Sequence, residues 1–231
     1  MTRHAIALAL PAALLLACAP RHAHGPEDHR GHRSAHMHHR FQDAEHWAKR
    51  FEDLSRDAWQ RPGAVLDLLK LAPDAWVADI GSATGYFTVR LARQVPRGKV
   101  WGLDIEPDMV RYLNARAARE GLAHLRSVQT PPDRIQLPEP VDLVFICDTY
   151  HHIQGRDRYF RSLASQLRPG GRLAVVDFKL GRIPVGPPEA QRVGPDRLDR
   201  ELRAAGWQRV LLDITTLPHQ YVAIYAPRSG T

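Results

Sequence analysis

Apolar residues fall along this chain in short runs separated by longer amphipathic stretches. Trp76–Ile80 is the first such run, and it reads as a buried parallel strand. Lys99–Leu103, Leu125–Gln129 and Leu173–Asp177 read as further strands, and Val141–Cys147 is so continuously apolar that it is expected at the centre of a sheet. Trp207–Ile214 and Gln220–Ala226 alternate enough to be two more. Between these runs the period changes to that of a helix over Tyr86–Val95, Pro107–Glu120, Arg158–Leu167 and Asp196–Ala205, with Gly206 as a stop. Pro184–Pro188 holds three prolines and two small residues and is expected to be a loop.

Ahead of the first strand, Phe41, Ala44, Trp47, Ala48, Phe51, Leu54 and Trp59 recur at helical spacing with charges between them, and Asp43 is placed to cap that segment. Pro62 opens another helix to Leu71, with Val65, Leu66, Leu68 and Leu69 on its buried side. Ala19–Arg40 has little apolar content and seven histidines, at positions 22, 24, 29, 32, 36, 38 and 39. Their irregular spacing favours a solvated tether over one defined metal site. Ala5–Ala17 is apolar but only 13 residues long, too short to span a bilayer. It follows Arg3 and His4 and ends Leu15-Leu16-Ala17-Cys18, which resembles the lipobox of bacterial lipoprotein signals.

The chain therefore divides into a lipoprotein-type signal over 1–18, a His-rich tether over 19–40, an N-terminal helical cap over 41–75 and an α/β domain over 76–231. A lipid on Cys18 would hold the protein at the cell envelope, facing the periplasm; a misassigned start would leave it in the cytoplasm. Composition adds two exclusions. The net charge is +7, but arginines are dispersed with no dense basic block, so no nucleic-acid partner is expected. The cysteines are Cys18 and Cys147, with no zinc-type pair; Cys147 sits in an apolar run as a small core residue.

The candidate chemistry gathers after the first strand. Asp79-x-Gly81-x-Ala83-x-Gly85 leads from strand to helix, where glycines let a ligand approach the backbone and helical N–H groups face it. The dinucleotide fingerprint Gly-x-Gly-x-x-Gly does not fit this spacing. Asp104 ends the second strand 25 residues after Asp79, where a carboxylate accepts hydrogen bonds from ribose hydroxyls. These residues, with Gly102-x-Asp104-x-x-x-x-Met109 and Leu167-x-Pro169-Gly170-Gly171, resemble the class I S-adenosylmethionine (SAM)-dependent methyltransferases, Ala83 replacing the middle glycine of their first motif.

The resemblance implies a doubly wound, Rossmann-like α/β fold with a seven-stranded, mostly parallel sheet whose last strand is antiparallel. It implies SAM as cofactor, held by Asp79, Gly81, Ser82, Ala83, Gly85 and Asp104, with Ile105 against the adenine and Asp133 at its amino group. The helices before the glycine loop would cover the cleft. Asp148-Thr149-Tyr150-His151-His152 follows the fourth strand, where the methyl acceptor should sit. One of His151 and His152 is a candidate base, and Asp148 could orient the His151 ring or meet the amino group of SAM. No Asn-Pro-Pro-Tyr follows that strand, and one mature cysteine cannot serve arsenite methylation, so a small-molecule or lipid- or quinone-like acceptor is expected. Two alternatives stand beside this reading: an envelope-anchored SAM-binding module without activity, and a nicotinamide-type oxidoreductase.

Overall fold

A computed structural model describes residues 43–228. The signal, Cys18, the His-rich tether and Phe41 lie outside the described residues. Seven strands, β1 (Trp76–Ile80), β2 (Lys99–Asp104), β3 (Leu125–Gln129), β4 (Val141–Cys147), β5 (Leu167–Phe178), β6 (Trp207–Asp213) and β7 (Gln220–Pro227), form one sheet in the order β3-β2-β1-β4-β5-β7-β6. The first five are parallel, and β7 runs antiparallel to both its neighbours, β5 and β6. This is the doubly wound sheet expected, with its last strand reversed.

Strand alternation builds the core on two faces. Val77, Val100, Leu143, Phe145, Ala174 and Val176 point to one side, under helices α3 (Pro62–Leu69), α4 (Thr88–Gln94) and α5 (Pro107–Arg119). Ala78, Leu103, Val144, Ile146, Leu173 and Val175 point to the other, under α6 (Arg156–Leu163) and α7 (Pro195–Ala204). Trp207, fully buried, donates its indole N–H to the Phe160 carbonyl at 2.9 Å and so ties β6 to α6.

Local chemistry moves several boundaries. The pattern over 41–59 becomes two helices, α1 (Ala44–Phe51) and α2 (Ser55–Gln60), because Asp53 turns its carboxylate onto the Ser55 N–H at 2.8 Å and breaks the run. Leu54 consequently stands 83% exposed rather than packed. Asp43 does cap α1, accepting from the His46 N–H at 3.1 Å. The helix from Pro62 stops at Leu69 because Lys70 takes a left-handed conformation, and Leu68 is only half-buried. The strand expected over Leu173–Asp177 begins earlier, so the Leu167–Gly171 motif is the first part of β5, and it pairs with β4 across an irregularity between Val141 and Leu143. The helix expected over Arg158–Leu167 starts earlier, at Arg156, and residues 164–166 tighten into a 3-10 turn.

Strand order reverses between β1 and β4, so their carboxyl ends, Ile80 and Cys147, flank the crevice in which an open α/β sheet binds ligands.

Candidate active site

The glycine loop after β1 is fixed by backbone geometry. Gly81 and Gly85 have φ of 76° and 98°, and Ala83, although not glycine, holds φ at 46°. A side chain at Gly81 would run into Thr149, and one at Gly85 into Leu113. The loop is also laced to β2. Gly81 and Ser82 donate their N–H groups to the Leu103 carbonyl at 2.7 and 3.1 Å, and Ala83 donates to Oδ2 of Asp104 at 2.8 Å. The other Asp104 oxygen accepts from the Glu106 N–H at 2.9 Å. Each oxygen keeps a lone pair for a further donor. Burial pushes the Asp104 carboxyl up, and these backbone hydrogen bonds oppose the shift. Asp79 lies beneath the loop, 3% exposed, with the Thr88 hydroxyl donating to it at 2.6 Å. Burial is the main cause of its rise to about 7, against the Thr88 hydrogen bond.

The N-terminal helices close over this loop through polar side chains. Thr84 donates its hydroxyl to Glu52 at 2.7 Å, and Arg116 of α5 reaches the same carboxylate at 2.7 Å. The Arg56 guanidinium lies 4.0 Å from the Tyr86 ring centroid and 3.3 Å from Asp148. Gln60, fully buried, donates to Asp148 at 3.1 Å and to Gln220 at 2.9 Å, and Gln220 in turn donates to Asp148. Asp148 itself has a φ of 55°, so the strand-to-loop corner after β4 is strained. Burial pushes its carboxyl up, and Arg56 opposes that.

Farther along the carboxyl edge, Nδ1 of His151 lies 3.1 Å from both oxygens of Asp177 on β5. Burial pulls His151 down, but the hydrogen bond and charge of Asp177 outweigh it and leave it above its ordinary value. The rings of His151 and His152 are 4.2 Å apart, with the first side chain 4% exposed and the second residue at the surface.

Residues 77–171 match the family model described as a methyltransferase domain. The chain is 30% identical over 165 residues to a malonyl-[acyl-carrier protein] O-methyltransferase of Methylococcus capsulatus, covering 67% of this chain and 59% of that protein. It is 31% identical over 158 residues to a 27-O-demethylrifamycin SV methyltransferase of Amycolatopsis mediterranei, covering 62% and 57%. The chain thus spans less than two thirds of these relatives' length. Among solved structures, a SAM-dependent methyltransferase from Aquifex aeolicus superposes with a TM-score of 0.73 at 24% identity, over 79% of this chain and 97% of that one. The fold is that of the class I SAM-dependent methyltransferases. Fold and domain match together imply SAM as the cofactor.

The residues present fit that group. Two buried hydroxyls, Ser82 Oγ on the loop and Thr130 Oγ1 after β3, have no hydrogen-bond partner among the described residues, and Thr130 donates its N–H to the Asp104 carbonyl at 2.9 Å. Orphaned donors beside a buried carboxylate suit a hydroxylated ligand such as a ribose. Of the residues expected to hold the cofactor in this methyltransferase fold, Asp79, Gly81, Ser82, Ala83, Gly85 and Asp104 are brought together, and Ile105 stands beside them, 43% exposed. Asp133 is not joined to them by any contact among the described residues: it pairs with Arg134 at 3.6 Å, its side chain 62% exposed. The Thr130-Pro131-Pro132 turn carries it outward. Asp148 faces Arg56, Gln60 and Gln220, while Asp177 takes the part of orienting the His151 ring.

Sequence reasoning passed over Asp177, Arg56 and Gln60. Asp177 was accessible in principle, being an acidic residue at the carboxyl end of a strand neighbouring β4. Arg56 and Gln60 looked like the polar face of a helix, and only the long-range packing of α2 gives them partners.

Proposed function

We propose that this protein is a SAM-dependent methyltransferase acting on a small-molecule or lipid-like acceptor, and that it works at the cell envelope through a lipid on Cys18. The observation that carries the reading is the juxtaposition, along one sheet edge, of the buried Asp79–Asp104 loop with a His151–Asp177 pair beneath a helical cap. The relatives' names span acceptors as different as a malonyl-carrier protein and a rifamycin, which supports a family built around small acceptor groups.

When bound, SAM supplies a methyl group on a positively charged sulfur, so the protein's main task is to orient the acceptor and exclude water. Asp104 and the loop N–H groups would hold the cofactor's sugar, and Asp79 would face its cationic part. The cap, fastened by Glu52 and Arg56, covers that cleft. His151 lies where an acceptor's proton can be taken near neutral pH. An inactive anchored module would keep the cofactor cradle without turnover.

The test is incubation of the purified protein with methyl-labelled SAM and envelope extract, followed by mass analysis of labelled products. SAM binding by calorimetry together with a labelled small molecule is the expected result. Binding without any labelled product favours the inactive module, and absence of binding overturns the reading. Palmitate labelling of the wild type but not of Cys18→Ala is expected, with the variant lost from membranes. Unlabelled, soluble behaviour of both would remove the anchor.

A further inference from the structure

Asp177 is wholly buried, and its side-chain partner among the described residues is His151, with no arginine or lysine on it. Its remaining hydrogen bond is to the Phe178 N–H, at 2.8 Å. A buried carboxylate in this state requires a fixed donor. Nδ1 of His151 therefore carries a proton in either charge state, and Nε2 is left as the ring's site for proton exchange.

The same pair adjoins a group of aromatic rings. The His151 and Phe178 centroids are 6.5 Å apart, and Trp59 of the cap lies 6.2 Å from Phe178 and 6.5 Å from His219. Phe178 forms the floor at 4% exposure, while Trp59 and His219 are half-buried and reach the surface. These rings come from α2, β5 and the β6–β7 connection, so they meet only in the folded chain.

Resting on the methyltransferase reading, we infer that the acceptor is a ring-bearing hydroxyl compound of the phenol class, that its ring packs among Trp59, Phe178 and His219, and that His151, positioned by Asp177, takes its proton. A carboxylate acceptor arrives without a proton and gives the pair nothing to do. A hydroxyl attached to a ring arrives protonated, and its ring stacks on aromatic side chains. In the transfer the O–H proton goes to Nε2 and the oxygen's electron pair forms the O–CH₃ bond. The pair of the broken C–S bond stays on sulfur.

The charged and titratable groups facing His151 are Asp177 from β5, Asp148 and His152 from its own loop, and Arg156 from α6. Asp177→Asn removes the nearest negative charge at nearly constant volume. In ring-labelled protein without cofactor, the His151 titration is therefore expected to move to lower pH in Asp177→Asn. The rising limb of the rate profile should move the same way, with a lower plateau. Calorimetry is expected to show 2-naphthol binding, weakened about tenfold by Trp59→Ala. The wild type is expected to methylate 2-naphthol in preference to 2-naphthoic acid.

An unmoved His151 titration in a folded Asp177→Asn protein overturns the positioning role. Failure of the wild type to bind 2-naphthol, or preferential methylation of 2-naphthoic acid, overturns the acceptor class. Failure to bind SAM would instead strike the underlying reading, while the titration and the naphthol binding still test this one.

Discussion

The Ala83 N–H donates to Oδ2 of Asp104 at 2.8 Å, so the middle of the glycine loop and the end of the neighbouring strand form one hydrogen-bonded unit. Asp104 thus shapes the loop, and on the proposed reading it also receives the cofactor's sugar. Asp104→Ala is expected to weaken SAM binding by about 1.5–3 kcal/mol, the scale of hydrogen bonds to a charged group. It should also lower the melting temperature of the cofactor-free protein, because two backbone donors lose their acceptor. Calorimetry and thermal melts check both, and unchanged SAM affinity would remove Asp104 from the cradle.

Gly81 offers a sharper test of the loop. Its φ is 76°, and a Cβ there would meet the Thr149 side chain. Gly81→Ala is expected to destabilise the protein by about 1–3 kcal/mol through backbone strain alone. Gly81→Val should be worse and should abolish measurable SAM binding. Thr149→Ala in the Gly81→Ala background should recover only part of the stability, because the strain remains when the clash is relieved. Full recovery would mean that the collision, not the conformation, is what makes glycine necessary.

How far the sequence revealed this arrangement depended on whether the signal was local. Strands β1 and β4 begin and end where the apolar runs do, because strands buried on both faces carry their own boundaries in composition. The Asp79–Gly85 loop and Asp104 were equally visible, since their spacing is set by backbone geometry within one crossover. What stayed hidden was set by distant partners. Nothing within α2 announces that Arg56 will lie over the Tyr86 ring and against Asp148, 92 residues away. The break at Asp53, which turns one helix into two, hangs on a single side-chain-to-backbone hydrogen bond competing with helical spacing. Asp133 is the reverse case: its residue type was legible, but its position was not, and after two prolines it stands at the surface beside Arg134.

The cap should be coupled to the cofactor cleft through Glu52. Its carboxylate receives the Thr84 hydroxyl and the Arg116 guanidinium, both at 2.7 Å, bridging α1's end, the glycine loop and α5. Glu52→Gln keeps the shape and removes the charge. The expected loss of stability is about 1 kcal/mol, since the pair is only partly shielded from water. If the cap must open to release the cofactor, dissociation of SAM, followed by stopped flow, should quicken more than that stability change alone would suggest. Equal SAM dissociation rates in wild type and variant would separate the cap from the cleft.

Asp79 makes the last prediction, and its sign follows from burial. The carboxyl is 3% exposed and is raised from 3.8 to about 7, first by desolvation, with the charge of Asp104 adding and the Thr88 hydrogen bond and Arg56 opposing. A raised acid favours its protonated form in the folded chain. Its contribution to stability is complete below pH 3.8 and is lost as pH rises through about 7. Above that point the folded protein carries a buried charge that the unfolded chain would hydrate, at a cost on the order of 4 kcal/mol. Asp79→Asn keeps an oxygen for Thr88 and removes the titration. The variant is expected to melt at a higher temperature than the wild type at pH 8, with the advantage shrinking steadily towards pH 4. On the proposed reading, in which Asp79 faces the cofactor's cationic part, the same variant should bind SAM more weakly at pH 8. A variant no more stable than the wild type at pH 8 would show that the carboxylate is already neutralised in the folded chain. Undiminished SAM affinity would place the cofactor's positive charge elsewhere.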